Sequence, residues 1–292
     1  MESEMDSDMA SDMASGATRA TTSARPARPT GSLSAWEGMA RQYDYWLTVL
    51  KRTWRGGVVS SFLTPLLYVV AMGVLLGGFI EGDPDKLEGA TSYLAFVVPG
   101  LVASHAMTIA VSESTYPVMG AIKWHKTFFA QLATPLAVRD LVNAFVGFVM
   151  FRVATACAVF MLVIAPFGVF ATWWGPILAW LSQVLVGFAF ATLVFAYSAR
   201  LRSEEGFGLL FRLGVIPLTL FSGAFFPISN LGPVLEWIAR LTPLWHGVSL
   251  SRMFCVDQID WALVVLNVVV LVTLTVIGWF LAVRNLDRRL EV

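Results

Sequence analysis

The chain has 292 residues, of which 57% are hydrophobic and only 14% charged, with 21 Phe and 11 Trp. Soluble domains carry about 25% charged residues, so this composition excludes most soluble classes and points to an all-α membrane protein with several spans. The formal net charge is zero, no nucleic-acid partner is expected, and the two cysteines, Cys157 in an apolar run and Cys255 in a polar connection, support neither a disulfide framework nor a Cys-rich metal site.

Residues 1–31 are rich in Ser, Thr, Ala, Asp and Met, repeat the tetrapeptide SDMA and end in RPARPTG. Such a stretch buries too little apolar surface to offset the entropy of ordering, so a disordered tail is expected. It lacks the basic start and apolar centre of a signal peptide, so no cleaved leader is expected. Over residues 32–56, Trp36, Met39, Tyr43, Trp46, Leu50 and Trp54 recur at three- and four-residue spacing between charged residues. That pattern predicts an amphipathic helix lying in the membrane interface.

A helix needs about 20 apolar residues to cross the hydrocarbon core. Six runs of that order lie near 58–80, 93–111, 141–164, 176–197, 207–225 and 261–283, within a transmembrane domain expected over 57–284 and followed by a short tail, 285–292. With the N-terminus inside, sixteen Lys and Arg residues fall on the inner side and three, Lys86, Arg240 and Arg252, on the outer side. By the positive-inside rule both termini are expected in the cytoplasm.

The inner connection 113–140 is the longest on that side. Met119, Ile122, Trp124, Phe128 and Phe129 alternate there with Lys123, His125 and Lys126, predicting one short amphipathic helix across the membrane face, ended by Pro135. Such a helix would either transmit a push from a cytoplasmic partner or simply anchor the adjacent spans. On the outer side, residues 226–253 are too apolar for a loop and too broken by Pro227, Gly232, Pro233 and Pro243 for a span. Short helices over Val234–Leu241, with Glu236 and Arg240 paired at i,i+4, and over Leu244–Met253 predict a re-entrant or interfacial hairpin.

Two polar side chains fall inside predicted spans. His105 and Arg152 both reach about mid-membrane at 1.5 Å per residue, and an ionisable group there usually faces a bundle interior or an aqueous cavity. Arg152 is therefore a candidate for the substrate pathway, with His105 beside it; the other reading is that Arg152 is tied to polar groups that hold the bundle together and that His105 is a neutral packed side chain. Gly73 and Gly77 form GxxxG, which fits close helix approach. The sequence has no GxxxxGK[ST] phosphate loop and no HExxH, and no histidine has a neighbour at metal-ligand spacing.

The stretches YLAFVVPGLVASHAM, FFAQLATPLAVRDL and above all SGAFFPISNLGPVLEWIARLTPLWHGVSLSR resemble the ABC-2 type transporter membrane subunits, specifically the NodJ-like lipo-oligosaccharide export permeases and, more distantly, the daunorubicin-type drug export permeases. The resemblance covers about Leu33 to Arg289. It implies a second permease subunit, as homodimer or heterodimer, and two separate ATP-binding subunits that hold the ATP and magnesium, so that this chain carries no cofactor and no enzymatic activity of its own. It implies export of a lipid-linked saccharide, lipid or amphipathic drug across a bacterial plasma membrane, among whose lipids the chain sits. It places Trp36, Tyr43, Trp46, Met119, Lys123, Trp124, Lys126, Phe128 and Phe129 where the ATPase pushes. It also places Ser222, Gly223, Phe225, Phe226, Pro227 and Pro243 at an outer gate, where His246 and Arg252 stand on the exit route of a polar head group. A membrane-embedded glycolipid-modifying enzyme and a non-transporting assembly subunit are the alternatives; the former predicts a loop rich in Asp, Glu or His, which the sequence lacks.

Overall fold

Long apolar segments must satisfy their backbone hydrogen bonds internally, and among the described residues every regular element is helical. The computed structural model describes residues 88–290 and, ahead of them, only Thr48, Leu63, Leu66, Leu67, Tyr68, Val70 and Ala71. The predicted tail, the interface helix with Trp36, Tyr43 and Trp46, and the first span with Gly73 and Gly77 lie outside the described residues, those isolated positions aside.

Helix α1 (Tyr93–Ser114) starts where the Ser92 hydroxyl accepts from the Ala95 amide, satisfying one of the free donors of the first turn. A bend at Thr115, two residues before Pro117, separates it from α2 (Tyr116–Met119), and a π-helical turn, Gly120–Trp124, completes a 32-residue helical rod. After Lys126, which stands at φ 49°, come α3 (Thr127–Leu132), α4 (Val138–Ile164) and α5 (Gly175–Arg200). Helix α6 (Glu205–Leu209), a π-helical stretch Leu210–Val215 and α7 (Ile216–Phe221) run on as one rod. Helices α8 (Pro233–Arg240), α9 (Pro243–Val256) and α10 (Trp261–Leu290) close the chain.

Four of these rods, Tyr93–Trp124, Val138–Phe167, Gly175–Arg200 and Trp261–Leu290, are long and apolar enough to cross a membrane. The span expected over 207–225 takes a different form. Its rod ends at Phe221, because Gly223 turns the chain at φ 81°. From Glu205 it has 17 residues, about 25 Å at the α-helical rise, which is at the lower end of the roughly 17–25 residues that cross a membrane. The second predicted span differs too, since its helix continues past residue 111 to Trp124 and carries Glu113 into the rod.

Helix α5 is the hub, packing against α1, α4, α9 and α10. Small residues bring the backbones close there: a Cβ on Gly278 of α10 would lie 2.5 Å from the Thr192 hydroxyl and 2.8 Å from the Leu193 amide. Four of the polar groups these helices carry donate to neighbouring helices. Trp180 donates to the Ala154 carbonyl at 2.8 Å, Trp279 to Asn143 at 2.6 Å, Asn285 to the Ala196 carbonyl at 2.9 Å and Ser198 to the Ser114 carbonyl at 2.7 Å. Each removes a donor from apolar surroundings, where leaving it unpaired costs about 1–3 kcal/mol.

Candidate functional site

The candidate gate is built on α9. Thr242 caps that helix by accepting from the Trp245 amide, and Pro243 occupies the first turn, where its missing N–H costs nothing. The cap sets α9 against α1 and α5 with His246, Gly247, Val248 and Arg252 buried. A Cβ on Gly247 would meet Val186 of α5, so this face admits no larger residue without repacking.

Arg252 is 6% exposed, and its guanidinium gathers three elements. Nη1 donates to Glu88 at 2.5 Å, Nη2 donates to the Gly223 carbonyl at 2.6 Å, and the Phe96 ring of α1 lies 3.9 Å from the guanidinium carbon. Burial lowers its basicity and the Glu88 carboxylate raises it again. Glu88 stands at φ 51°, a left-handed conformation that costs a non-glycine residue about 1 kcal/mol or more, and Arg252 is the partner that holds it there.

The turn Ser222–Pro227 is clamped from below. Tyr93 donates to the Phe225 carbonyl at 3.1 Å, and Gly100 sits so close to Ala224 that a Cβ would lie 2.5 Å from its Cα. Ser222, Gly223 and Pro227 are buried; Phe225 and Phe226 are half-buried. Two turns before Arg252 on α9, His246 Nδ1 lies 2.7 Å from Asn267 Oδ1 on α10, and Asn267 donates to Ser249 at 3.1 Å. Beside these groups opens a cavity of about 340 Å³ lined by Glu88, Glu236, Arg240, Trp245, Ser249 and Arg252 among others. On its wall Glu236 and Arg240 of α8 are 2.6 Å apart, and the Arg240 guanidinium lies 5.8 Å from the Trp245 ring. Both charge signs, a hydroxyl and an indole therefore face one space, a combination suited to polar head groups. Among the described residues no group of three His, Cys, Asp or Glu side chains is placed to hold a metal ion.

The two mid-span candidates fall on another surface, the seam between α1 and α4. His105 of α1 faces the Phe160 ring of α4 at 5.5 Å. Eight residues further along α1 and eight back along α4, Glu113 and Arg152 form an ion pair at 2.5 Å. The two helices are antiparallel, so these are two rungs of one ladder, about 12 Å apart at 1.5 Å per residue. Glu113, which the sequence pattern assigned to a loop, is thus the partner of Arg152.

The predicted coupling helix over Met119–Phe129 is two pieces, because the rod ends at Trp124 and the chain reverses at Lys126 before α3 starts. Met119 and Phe128 are buried, the latter against the Phe145 and Phe195 rings at 6.1 and 6.3 Å. Lys123, Trp124, Lys126 and Phe129 remain on the surface, with Lys123 3.3 Å from Glu204. Sequence reasoning missed Glu88, Glu113, Asn267 and Ser249. Asn267 carried a usable signal, a lone amide within an apolar run.

The sequence matches the ABC-2 type transporter model over residues 45–256. The chain belongs to the ABC-2 type transporter family. Among curated relatives, Nodulation protein J of Rhizobium leguminosarum bv. trifolii is 31% identical over 90% of this chain and 97% of its own length. Nodulation protein J of Sinorhizobium fredii is 29% identical over 91% and 96%, and the inner membrane transport permease YadH of Escherichia coli K12 is 26% identical over 80% and 90%. Within this ABC-2 permease the matched region contains the whole Arg252 cluster, the α1–α4 ladder and the Lys123–Phe129 surface.

Proposed function

We propose that the chain is the membrane-spanning permease of an ATP-driven exporter in a bacterial inner membrane, with both termini cytoplasmic. The observation that carries this reading is the family match over 45–256, which takes in the Arg252 cluster, the α1–α4 ladder and the Lys123–Phe129 surface, in a chain whose sequence has no phosphate-binding loop. Two ATP-binding subunits, holding ATP and magnesium, close beneath a pair of permease subunits. Their push enters through Trp124, Lys126 and Phe129, which are exposed, and reaches the core through Phe128, which is wedged between Phe145 and Phe195. ATP biases the permease only to the extent that these contacts differ between its states.

The cargo is a lipid-linked saccharide or a similar amphiphile. The cavity beside Arg252, in which charged groups of both signs adjoin an indole, supports that class, and the relative named as a transport permease supports transport itself. At the gate, the Ser222–Pro227 turn is held by the Arg252–Gly223 bond and the Tyr93–Phe225 bond, so release of these two contacts opens the exit. The test is co-expression with a candidate ABC ATP-binding subunit, followed by co-purification and substrate-stimulated ATPase assays in proteoliposomes. Trp124→Ala with Phe129→Ala is expected to abolish co-purification; an intact complex and undiminished transport would remove that surface from the coupling role.

A further inference from the structure

At the opposite end of the bundle from the Arg252 cluster, α5 and α10 leave a cleft of about 430 Å³ between their C-terminal turns. Arg200 and Arg202 line it from the α5 side, and Arg284, Arg288 and Arg289 from α10. None of the five forms an ion pair among the described residues; the nearest acid in sequence to the α5 pair that is paired, Glu204, is engaged by Lys123 at 3.3 Å. Five guanidinium groups around one space repel one another unless an anion sits among them.

The depth of the cleft identifies that anion. Arg284 follows Trp261 by 23 residues, about 35 Å along α10, and Arg200 follows Gly175 by 25, about 38 Å along α5, so both lie just beyond a hydrocarbon core of roughly 30 Å. The surface leading to the cleft is apolar and exposed, with Ile277 at 48% and Leu281 at 41% accessibility. Ile277, Leu281, Arg284 and Arg288 succeed one another at spacings of four, three and four residues, which is one face of a helix. That face is apolar at hydrocarbon depth and cationic at headgroup depth.

We propose that the cleft between the C-terminal turns of α5 and α10 binds the phosphate headgroup of an anionic phospholipid, with an acyl chain lying along Ile277 and Leu281. Arginine suits this role because its planar fork donates two hydrogen bonds to one phosphate. The site requires that the chain sit in a bilayer, but not that it export any particular cargo.

The experiment uses the full chain in nanodiscs of phosphatidylcholine alone or of equimolar phosphatidylcholine and phosphatidylglycerol, and counts phosphatidylglycerol retained per protein by native mass spectrometry after detergent extraction. One or more tightly retained phosphatidylglycerol molecules are expected, unaffected by millimolar-range inorganic phosphate or glycerol phosphate. The R284Q/R288Q double variant is expected to weaken retention roughly fivefold per arginine, about 25-fold for the pair, and R284K/R288K to lose much less. R139Q/R212Q, which removes the same charge elsewhere, is expected to match the wild type. Equal retention in both Gln pairs, displacement by free phosphate, or loss of ATP-binding-subunit co-purification with phosphatidylglycerol retention unchanged would each overturn the proposal.

Discussion

Arg252 and Glu88 are 164 residues apart in sequence and 2.5 Å apart in the fold, and their environments are unequal: the Arg252 side chain is 7% exposed and that of Glu88 42%. Removing either residue therefore has a different consequence. Glu88→Ala leaves a buried cation with only the Gly223 carbonyl and the Phe96 ring, whereas Arg252→Ala leaves a carboxylate that water can reach. Glu88→Ala is expected to destabilise the fold by about 2 kcal/mol, below the roughly 3–5 kcal/mol of a fully buried pair because solvent screens Glu88. Thermal unfolding of both single variants and of Glu88→Ala/Arg252→Met, read as a double-mutant cycle, checks this; additive effects would show that the two residues do not interact.

The Arg152–Glu113 rung makes a second prediction. Arg152→Ala is expected to lower stability by about 3 kcal/mol, because it leaves a carboxylate within the span, and the exchange R152E/E113R to recover most of that loss. Transport measured on the exchanged variant separates the two roles: recovered folding with lost export assigns Arg152 to the cargo route, and recovery of both assigns it to the bundle.

On α9, His246→Ala removes the partner of the fully buried Asn267 amide oxygen. A cost of about 1–3 kcal/mol is expected, and Asn267→Leu is expected to cost a similar amount because it strands the imidazole instead. The double variant His246→Leu/Asn267→Leu should be closer to the wild type than either single one in a detergent thermal-shift assay.

Gly100 tests the clamp on the Ser222–Pro227 turn. A methyl group there meets backbone, not a mobile side-chain end, so Gly100→Ala is expected to cost about 1–3 kcal/mol and to push the turn outward. A cysteine introduced at Ser222, buried in the wild type, should then label faster with a membrane-impermeant maleimide; unchanged labelling would dissociate the turn from α1.

Cys255 supplies a readout of the same region. Burial pushes its thiol up to about 12, so at pH 8 it is overwhelmingly protonated and unreactive towards maleimide. Because the unfolded thiol ionises first as pH rises, this raised value contributes stability that is complete at neutral pH and is lost as the pH climbs towards 12. Glu88→Ala is expected to accelerate Cys255 modification at pH 8, whereas the native protein should react only once denatured.

Much of the architecture was legible from local pattern. Apolar runs located the four long rods to within a few residues at their starts, and proline and glycine spacing located α8 and α9 between the last two rods. The misjudged ends have a common cause. Glu113 and the Gly120–Trp124 turn looked like a loop because they are polar or irregular, yet a helix can carry a carboxylate inward when a cation on the next helix meets it. The end of the 207–225 run fell at Phe221, short of its expected place, because composition cannot register the turn that Gly223 imposes at φ 81°.

The candidate site divides the same way. Sequence alone determined that the chain is a membrane-embedded helical protein, because hydropathy, charge asymmetry and helix-breaking residues act over one or two turns and need no partner to be read. It also singled out Arg152, His246 and Arg252 as polar residues that required an account. Only the tertiary structure decided what that account is, since Glu113, Asn267 and Glu88 reach them from other helices and connections. Desolvation makes such pairs necessary, but which distant group meets the need is set by how the helices pack.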